Sequence, residues 1–224
     1  MKKIAILASL LAIGFLSHAQ YDNIKNKLLI TTLKSIEDAK TDLDKKMSNA
    51  KFASRAEAYI LKATIYSYLA ADSSYKVSGK AEPLQTEAEA AFAKYLEMDP
   101  SQEQVKDPVY RNSAINLYSN LFDKGYEYYQ NKKYAESFEE FKKVWVYSEL
   151  LSKNQLLSSV VDTNTLILAA YTAEMSDQKD EAAKFYKKLG DAKVSGENYE
   201  SVYRFLVTYY FQNKNMEEFE KYKA

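Results

Sequence analysis

The chain has 224 residues, of which 28% are charged and 46% hydrophobic, a composition typical of globular proteins and not of disordered ones. Only five Gly and three Pro occur, too few for a turn-rich all-β protein, so the long helical patterns favour an all-α fold. The formal net charge is zero without a basic cluster, and Cys is absent, which excludes disulfides, thiolate chemistry and a nucleic-acid-binding surface.

The first residues have the pattern of a secretory signal peptide. Two lysines precede an apolar run at residues 4–16, which is too short to span a bilayer comfortably and ends in small residues. We expect cleavage between Ala19 and Gln20, so residues 1–19 would be removed and the mature chain exported. The alternative is an uncleaved membrane anchor. Export predicts a periplasmic or extracellular protein, with association at the outer membrane left open.

Cleavage would remove His18, which is the only histidine. A chain without His and Cys lacks Ser-His and Cys-His nucleophile pairs and the usual zinc ligands, so we expect no metal and no cofactor. Two of the 31 basic residues and none of the 31 acidic ones would be lost, which gives a net charge of −2. No transmembrane segment is expected after cleavage.

Paired carboxylates are the remaining candidates for catalysis. Glu139-Glu140 and Glu217-Glu218 are predicted on solvated helix faces, and adjacent helical residues point about 100° apart. Neither pair can therefore converge as an acid and a base. We expect a protein that is not an enzyme, and an acid-dependent hydrolase is the rival that a single essential carboxylate would reveal.

In chain order, apolar residues first recur at helical spacing over Tyr21–Met47, which predicts one helix. Ser54, with Glu57 three residues later, has the pattern of a capping box and predicts the start of the next helix. Residues 72–83 are polar and contain Gly and Pro, which indicates a loop. Helical spacing resumes over Thr86–Met98.

Leu117–Leu150 is the most regular stretch and predicts two amphipathic helices joined by a short polar turn. Leu121, Gly125 and Tyr128 fall on one face of the first helix. The outer face of the second helix is predicted to carry Glu139 and Glu140. After a segment at 151–162 that is a connection or a helix extension, further helices are predicted at Thr165–Met175, Asp180–Leu189, Tyr199–Gln212 and Met216–Ala224.

Small and aromatic residues recur at matching places in successive helix pairs. In the regular stretch Gly125 and Tyr128 are followed on the second helix by Ser137 and Phe141, and Ala170 occupies the place of Gly125 in the next pair. This pattern resembles tetratricopeptide repeats, although Lys124 and Glu149 depart from the Leu and Pro of the family consensus. The intervals are irregular, 45 residues from Gly125 to Ala170 and 37 from Ala170 to Val207.

The resemblance implies an all-α helical-hairpin solenoid, wound as a right-handed superhelix. Its units would span about residues 22–53, 54–100, 113–150, 163–190 and 199–224. In this family the first helix of each pair lines a concave groove, where a peptide or helix binds. The groove-facing residues that the resemblance implies are Ile60, Tyr68, Phe122, Tyr126, Tyr129, Ile167, Tyr171, Met175, Arg204, Thr208 and Phe211.

An aromatic groove gives a use for the twenty Tyr of the chain, because Tyr rings offer large contact area with few rotatable bonds. The alternative is that these side chains fill contacts between neighbouring repeats. Arg204 is the one cation in the predicted groove, so a clamp for carboxylates is not expected. The expected function is a non-enzymatic protein-interaction scaffold of the bacterial envelope, with a protein or peptide partner, membrane-associated partners included. A carbohydrate-binding helical-repeat protein is the alternative, because aromatic rings also stack on sugars.

Overall fold

The computed structural model describes residues 21–159 and 161–223, and every regular element within these ranges is a helix. The prediction of an all-α fold is therefore confirmed, whereas the predicted signal peptide and its cleavage site lie outside the described residues. The α-helices of the described ranges are α1 (residues 21–28), α2 (Leu33–Met47), α3 (Ala50–Ala53), α4 (Ala56–Ala71), α5 (Ser73–Val77), α6 (Ala81–Met98), α7 (Arg111–Gln130), α8 (Tyr134–Lys153), α9 (Thr163–Met175), α10 (Lys179–Asp191), α11 (Glu200–Gln212) and α12 (Met216–Lys223). Short 3₁₀ turns lie at Glu103–Lys106 and Glu197–Tyr199.

These helices form two compact units, and the boundary falls within α7, between Asn120 and Leu121. Within residues 21–159 and 161–223 no helix combines the length and the apolar character needed to cross a membrane.

The first unit is built around α4, which packs against α2 and α6. Helix α4 carries buried side chains on all of its faces, Ile60, Leu61 and Leu69 among them. The buried tyrosines of this unit place their hydroxyls on internal acceptors: Tyr66 donates to Asp44 at 2.6 Å and Tyr110 to Glu57 at 2.9 Å. Buried Tyr rings thus serve the core here, because each polar end is satisfied.

Three sequence predictions about the helix boundaries of the first unit are wrong. Tyr21–Met47 is not one helix, since Thr31 has a left-handed φ of 53° and the Thr32 side chain caps α2 by accepting from the Ser35 amide. Ser54 does not cap α4: its hydroxyl donates to the carbonyl of Lys51 and so ends α3. In addition, the predicted loop at 72–83 contains α5 and the start of α6.

The second unit is a run of helices in which each packs on the next, from α8 through α12. Helices α7 and α8 approach closely at Gly125, because a Cβ at that position would lie 3.3 Å from Glu140 Cβ and from the Phe141 ring. Ser137 Oγ donates to the carbonyl of Gly125 at 2.7 Å and ties α8 to α7. A small residue is needed here because the two helix backbones lie close together.

The three helical hairpins of the second unit, α7–α8, α9–α10 and α11–α12, share one turn. Each turn has three residues, and its middle residue has a left-handed φ: 59° at Lys132, 61° at Asp177 and 56° at Lys214. The amide after the left-handed residue donates back to a carbonyl five residues earlier, a Schellman-type end. These bonds join Lys133 to Tyr128 (2.9 Å), Gln178 to Ala173 (2.8 Å) and Asn215 to Tyr210 (2.9 Å).

Candidate partner-binding surface

Four tyrosines of the second unit form one contiguous group, here called the tyrosine cluster: Tyr126, Tyr129, Tyr134 and Tyr171. Tyr126 and Tyr129, near the end of α7, are stacked with ring centroids 5.7 Å apart and planes at 29°. Tyr171 of α9 meets Tyr129 edge to face at 5.9 Å. Tyr134, the first residue of α8, lies 6.3 Å from both Tyr129 and Tyr171. Three consecutive helices therefore contribute to one aromatic surface.

The tyrosine cluster is open to solvent. Tyr126 is 42% exposed and Tyr171 37%, while Tyr129 and Tyr134 are half-buried beneath them. Met175 follows Tyr171 by one helical turn on the same face and is 47% exposed. Large apolar side chains that are both exposed and contiguous mark a surface with a partner more often than a surface facing water alone.

These four tyrosines differ from many others in the hydrogen bonding of their hydroxyls. Within the described residues, no hydroxyl of the tyrosine cluster donates a hydrogen bond to the protein, although hydroxyls elsewhere do. Internal acceptors hold the hydroxyls of Tyr21, Tyr66, Tyr75, Tyr95, Tyr110, Tyr186, Tyr203, Tyr209 and Tyr222. The tyrosine cluster thus presents four donors that remain available to a ligand.

One carboxylate, that of Glu174, lies near Tyr171. Burial raises the pKa of the Tyr171 hydroxyl, and the neighbouring Tyr134 and Tyr129 and the Glu174 carboxylate raise it further. Glu174 is held in place because it accepts a hydrogen bond from Tyr186 Oη at 2.9 Å. The Tyr171 hydroxyl accordingly stays protonated, as a donor, at ordinary pH.

The structure places the other predicted groove residues of the second unit in several surroundings. Phe122 is half-buried and packs edge to face on Phe141, at 5.4 Å. Ile167 is also half-buried, one turn before Tyr171. Phe211 is 61% exposed and rests against Phe219 at 5.5 Å, while Thr208 on the same helix is exposed.

Arg204 lines a separate open cleft of about 850 Å³ between the α10–α11 connection and α12. Its guanidinium lies 4.0 Å from Glu200, and Tyr203 closes the base of the cleft by donating to the Val194 carbonyl at 2.7 Å. None of the four cluster rings lines this cleft.

Ile60 and Tyr68 belong to the first unit, so the structure does not place them in the tyrosine cluster. The prediction of a groove-facing Ile60 is wrong: its side chain is fully buried. The physical reason is that α4 is apolar on all sides and is covered by its neighbours, which leaves no free face at this position. Tyr68 is half-buried, and burial raises the pKa of its hydroxyl.

Sequence reasoning missed Tyr134, which the structure brings into contact with both Tyr129 and Tyr171. The available signal was its place directly after a short turn, because in an antiparallel hairpin the first residue of one helix lies beside the last turn of the other. The predicted groove took residues only from the first helix of each pair, and Tyr134 belongs to the second helix.

The prediction of a solvated Glu140 is wrong. It was expected on a solvated face beside Glu139, yet it is only 7% exposed. Its carboxylate lies 3.4 Å from Lys124 Nζ and 3.1 Å from Lys143 Nζ, so it is paired within the α7–α8 hairpin.

No group of three or more His, Asp or Glu side chains in the part of the chain that the structure describes is arranged to hold a metal ion. No family model matches the chain, and no curated protein or solved structure shows significant similarity to it.

Proposed function

We propose that this protein is a non-enzymatic interaction scaffold that captures a protein or peptide partner on the tyrosine cluster. The observation that carries the proposal is the combination of exposed, mutually packed rings with hydroxyls that no described residue engages. Aromatic side chains that combine apolar area with a polar tip are the usual anchors of protein interfaces.

Two further parts of the proposal concern architecture and location. The repeated turn in three hairpins, together with the small residue at Gly125, supports a tetratricopeptide-like helical-hairpin solenoid. The pattern of residues 1–19 supports export to the periplasm or the exterior of a bacterial cell. A scaffold located there would meet its partners in the envelope, membrane-associated ones included.

A crosslinked pull-down from the native envelope tests the proposal, with Tyr126→Ala and Tyr171→Ala each compared with the unaltered chain. Tyr147→Ala is the matched control, since Tyr147 is a half-buried tyrosine of α8 outside the tyrosine cluster. We expect a partner that the chain and the control retain and that both cluster variants lose. Retention of the same partners by the cluster variants would contradict the proposal.

A carbohydrate ligand is the second candidate, because the exposed Tyr126 ring offers a face for stacking on a sugar. A glycan array probed with the same variants separates the two. Sugar binding that Tyr126→Ala and Tyr171→Ala abolish, without a protein partner in the pull-down, would favour the carbohydrate alternative.

A further inference from the structure

The three hairpins of the second unit can be compared position by position, because they share one three-residue turn. Phe211 of α11 occupies the place of Tyr129 in α7, three residues before the middle of the turn. Met216 of α12 occupies the place of Tyr134 in α8, two residues after the middle of the turn. The α11–α12 hairpin therefore carries large apolar side chains at two places where the α7–α8 hairpin carries tyrosines.

In the α7–α8 hairpin both of these places contact the first helix of the next hairpin. Tyr129 lies 5.9 Å and Tyr134 6.3 Å from Tyr171 of α9, between ring centroids. The next junction is similar, since Asp180 at the start of α10 accepts a hydrogen bond from Tyr209 Oη of α11 at 2.7 Å. At both junctions, the start of a second helix thus packs on the first helix of the hairpin that follows.

Phe211 and Met216 are exposed where their counterparts are covered. Phe211 is 61% and Met216 49% exposed, whereas Tyr129 and Tyr134 are half-buried. Phe219 of α12 extends the apolar surface, since its ring centroid lies 5.5 Å from that of Phe211. Phe211, Met216 and Phe219 are here called the end face. It continues the hairpin-to-hairpin interface of the second unit, so the element that fits it is an α-helix.

The charges around the end face favour a second copy of this chain as the source of that helix. The exposed charged side chains of α11, its turn and α12 are of both signs, four basic and three acidic: Arg204, Lys214, Lys221, Lys223, Glu200, Glu217 and Glu220. A strongly acidic or basic partner would meet charges of its own sign here. A surface with nearly equal numbers of both signs can instead be complementary to itself.

We propose that two copies of this chain associate through their end faces about a two-fold axis, with α11 of each copy lying on the end face of the other. Helix α11 suits this role because it is a first helix, like α9, and exposes Thr208 and Phe211 on one face. The assembly closes at two copies, because each copy both gives and receives the same helix. The tyrosine cluster lies on α7, α8 and α9, so this inference does not depend on the proposed function.

Sedimentation velocity of the protein, expressed from the full 224-residue sequence so that any cleavage takes place, measures the mass of the association. We expect a species of twice the monomer mass. Phe211→Ala and Met216→Ala should each weaken the dimer by about tenfold or more, since they remove its central apolar contacts. Val77→Ala is the control, because Val77 is an exposed apolar residue of α5 in the first unit.

Crosslinking locates the contact independently. The chain has no Cys, so Met216→Cys and Val77→Cys each introduce a single thiol. A short bismaleimide should join the Met216→Cys chains into covalent dimers and leave the Val77→Cys chains unjoined. Circular dichroism of every variant checks that the helical fold is retained.

Several outcomes would overturn the inference. One is a chain that stays monomeric at about 100 μM, and another is a dimer that Phe211→Ala and Met216→Ala leave unchanged. Filaments would also refute it, because they indicate a contact that does not close. A different protein bound on the end face of a chain that does not dimerise would likewise refute it. Each of these results leaves capture by the tyrosine cluster to be decided by its own pull-down.

Discussion

Gly190 lies so close to Tyr222 that a Cβ at position 190 would be 2.7 Å from Cε1 of the tyrosine ring. The sequence predicts that this helix ends at Leu189, but Gly190 lies inside α10, and Lys193 takes the left-handed conformation. The Tyr222 hydroxyl is held by Asp191 and is 3.4 Å from Lys187 Nζ, so the ring cannot shift freely. Gly190 is therefore one of the contacts through which α12 packs on α10, together with the ion pair of Lys187 and Glu218.

Gly190→Ala should lower the free energy of unfolding by about 1–2 kcal/mol, since the steric overlap outweighs the better helix propensity of alanine. Urea denaturation measures the loss, and hydrogen exchange should show faster opening of α12. In a Tyr222→Ala background the same change should cost less, because the ring is gone and Leu206 Cδ1, at 3.0 Å, is the remaining close atom among those within 4 Å. An equal loss in both backgrounds would contradict this packing role.

Glu140 and Glu139 form a matched pair of adjacent carboxylates in different surroundings. Glu140→Ala should destabilise the chain by about 1–2 kcal/mol, because it removes a mostly buried carboxylate that pairs with Lys124 and Lys143 across the α7–α8 hairpin. Glu139→Ala should change stability by less than about 0.5 kcal/mol, because its pair with Lys142 is exposed. Denaturant titration of the two variants side by side checks this, and equal effects would show that Glu140 is not structurally special.

Tyr134→Ala should reduce partner capture as strongly as Tyr171→Ala, although the sequence does not predict it as a groove residue. Its ring contacts both Tyr129 and Tyr171, so its loss should open a gap in the tyrosine cluster. Tyr147→Ala is the control, 13 residues or about 20 Å further along α8. Pull-down band intensity gives the measurement. Full capture by Tyr134→Ala would remove this residue from the proposed surface.

Stability should be nearly constant from about pH 5 to 9, because the described residues contain no histidine. The folded pKa values of Asp107 and Asp191 are lowered by Lys25 and Lys221, respectively, against the opposing effect of burial. Their contribution is present above the ordinary value of 3.8 and is lost as the pH falls through the lower folded value.

At alkaline pH the stability changes in the opposite direction and falls as the pH rises. Burial raises the pKa of Tyr21 to about 12, and the hydrogen bond to Asp180 raises that of Tyr209 to about 12. A raised folded pKa gives stability that is present below the unfolded value of 10.0 and is lost as the pH rises through 12. Urea midpoints measured across the pH range give the loss of stability at acid and at alkaline pH. Asp191→Asn should make the loss at acid pH smaller. A transition near pH 6.5 would contradict the assignment.

Helical spacing was sufficient to predict the bounds of α9 to α12 to within about two residues, because polar residues or a glycine mark their ends, whereas α7 begins at Arg111, six residues before the predicted Leu117. It failed at Tyr21–Met47, where Leu29 continues the apolar spacing but is 64% exposed. Spacing records which residues share a face, and it does not show that the backbone turns between them. The Thr32 cap that ends the pattern is a local hydrogen bond that competes with helix continuation.

The candidate site was partly predictable, because helical spacing gives the residues that share a face but not the contacts between helices. Tyr126, Tyr129 and Tyr171 follow from helical spacing combined with the family resemblance, and the structure brings these rings together; their role in binding stays a prediction. The place of Tyr134 beside Tyr129 follows from the short turn, whereas its contact with Tyr171 depends on the packing of α8 on α9, which no local pattern contains. Ile60 was misplaced because a helix that is apolar all round gives no indication of which face a neighbour covers.

The shared turn bears on the irregular repeat length. The interval of 45 residues from Gly125 to Ala170 exceeds that of 37 from Ala170 to Val207 by eight, and seven of these eight lie in the second helix of the hairpin, since α8 has 20 residues and α10 has 13. The turn itself keeps three residues in every hairpin of the second unit. Over evolutionary time such a chain can lengthen or shorten its helices at the ends remote from the turn, or gain or lose whole hairpins, while the register beside each turn is kept.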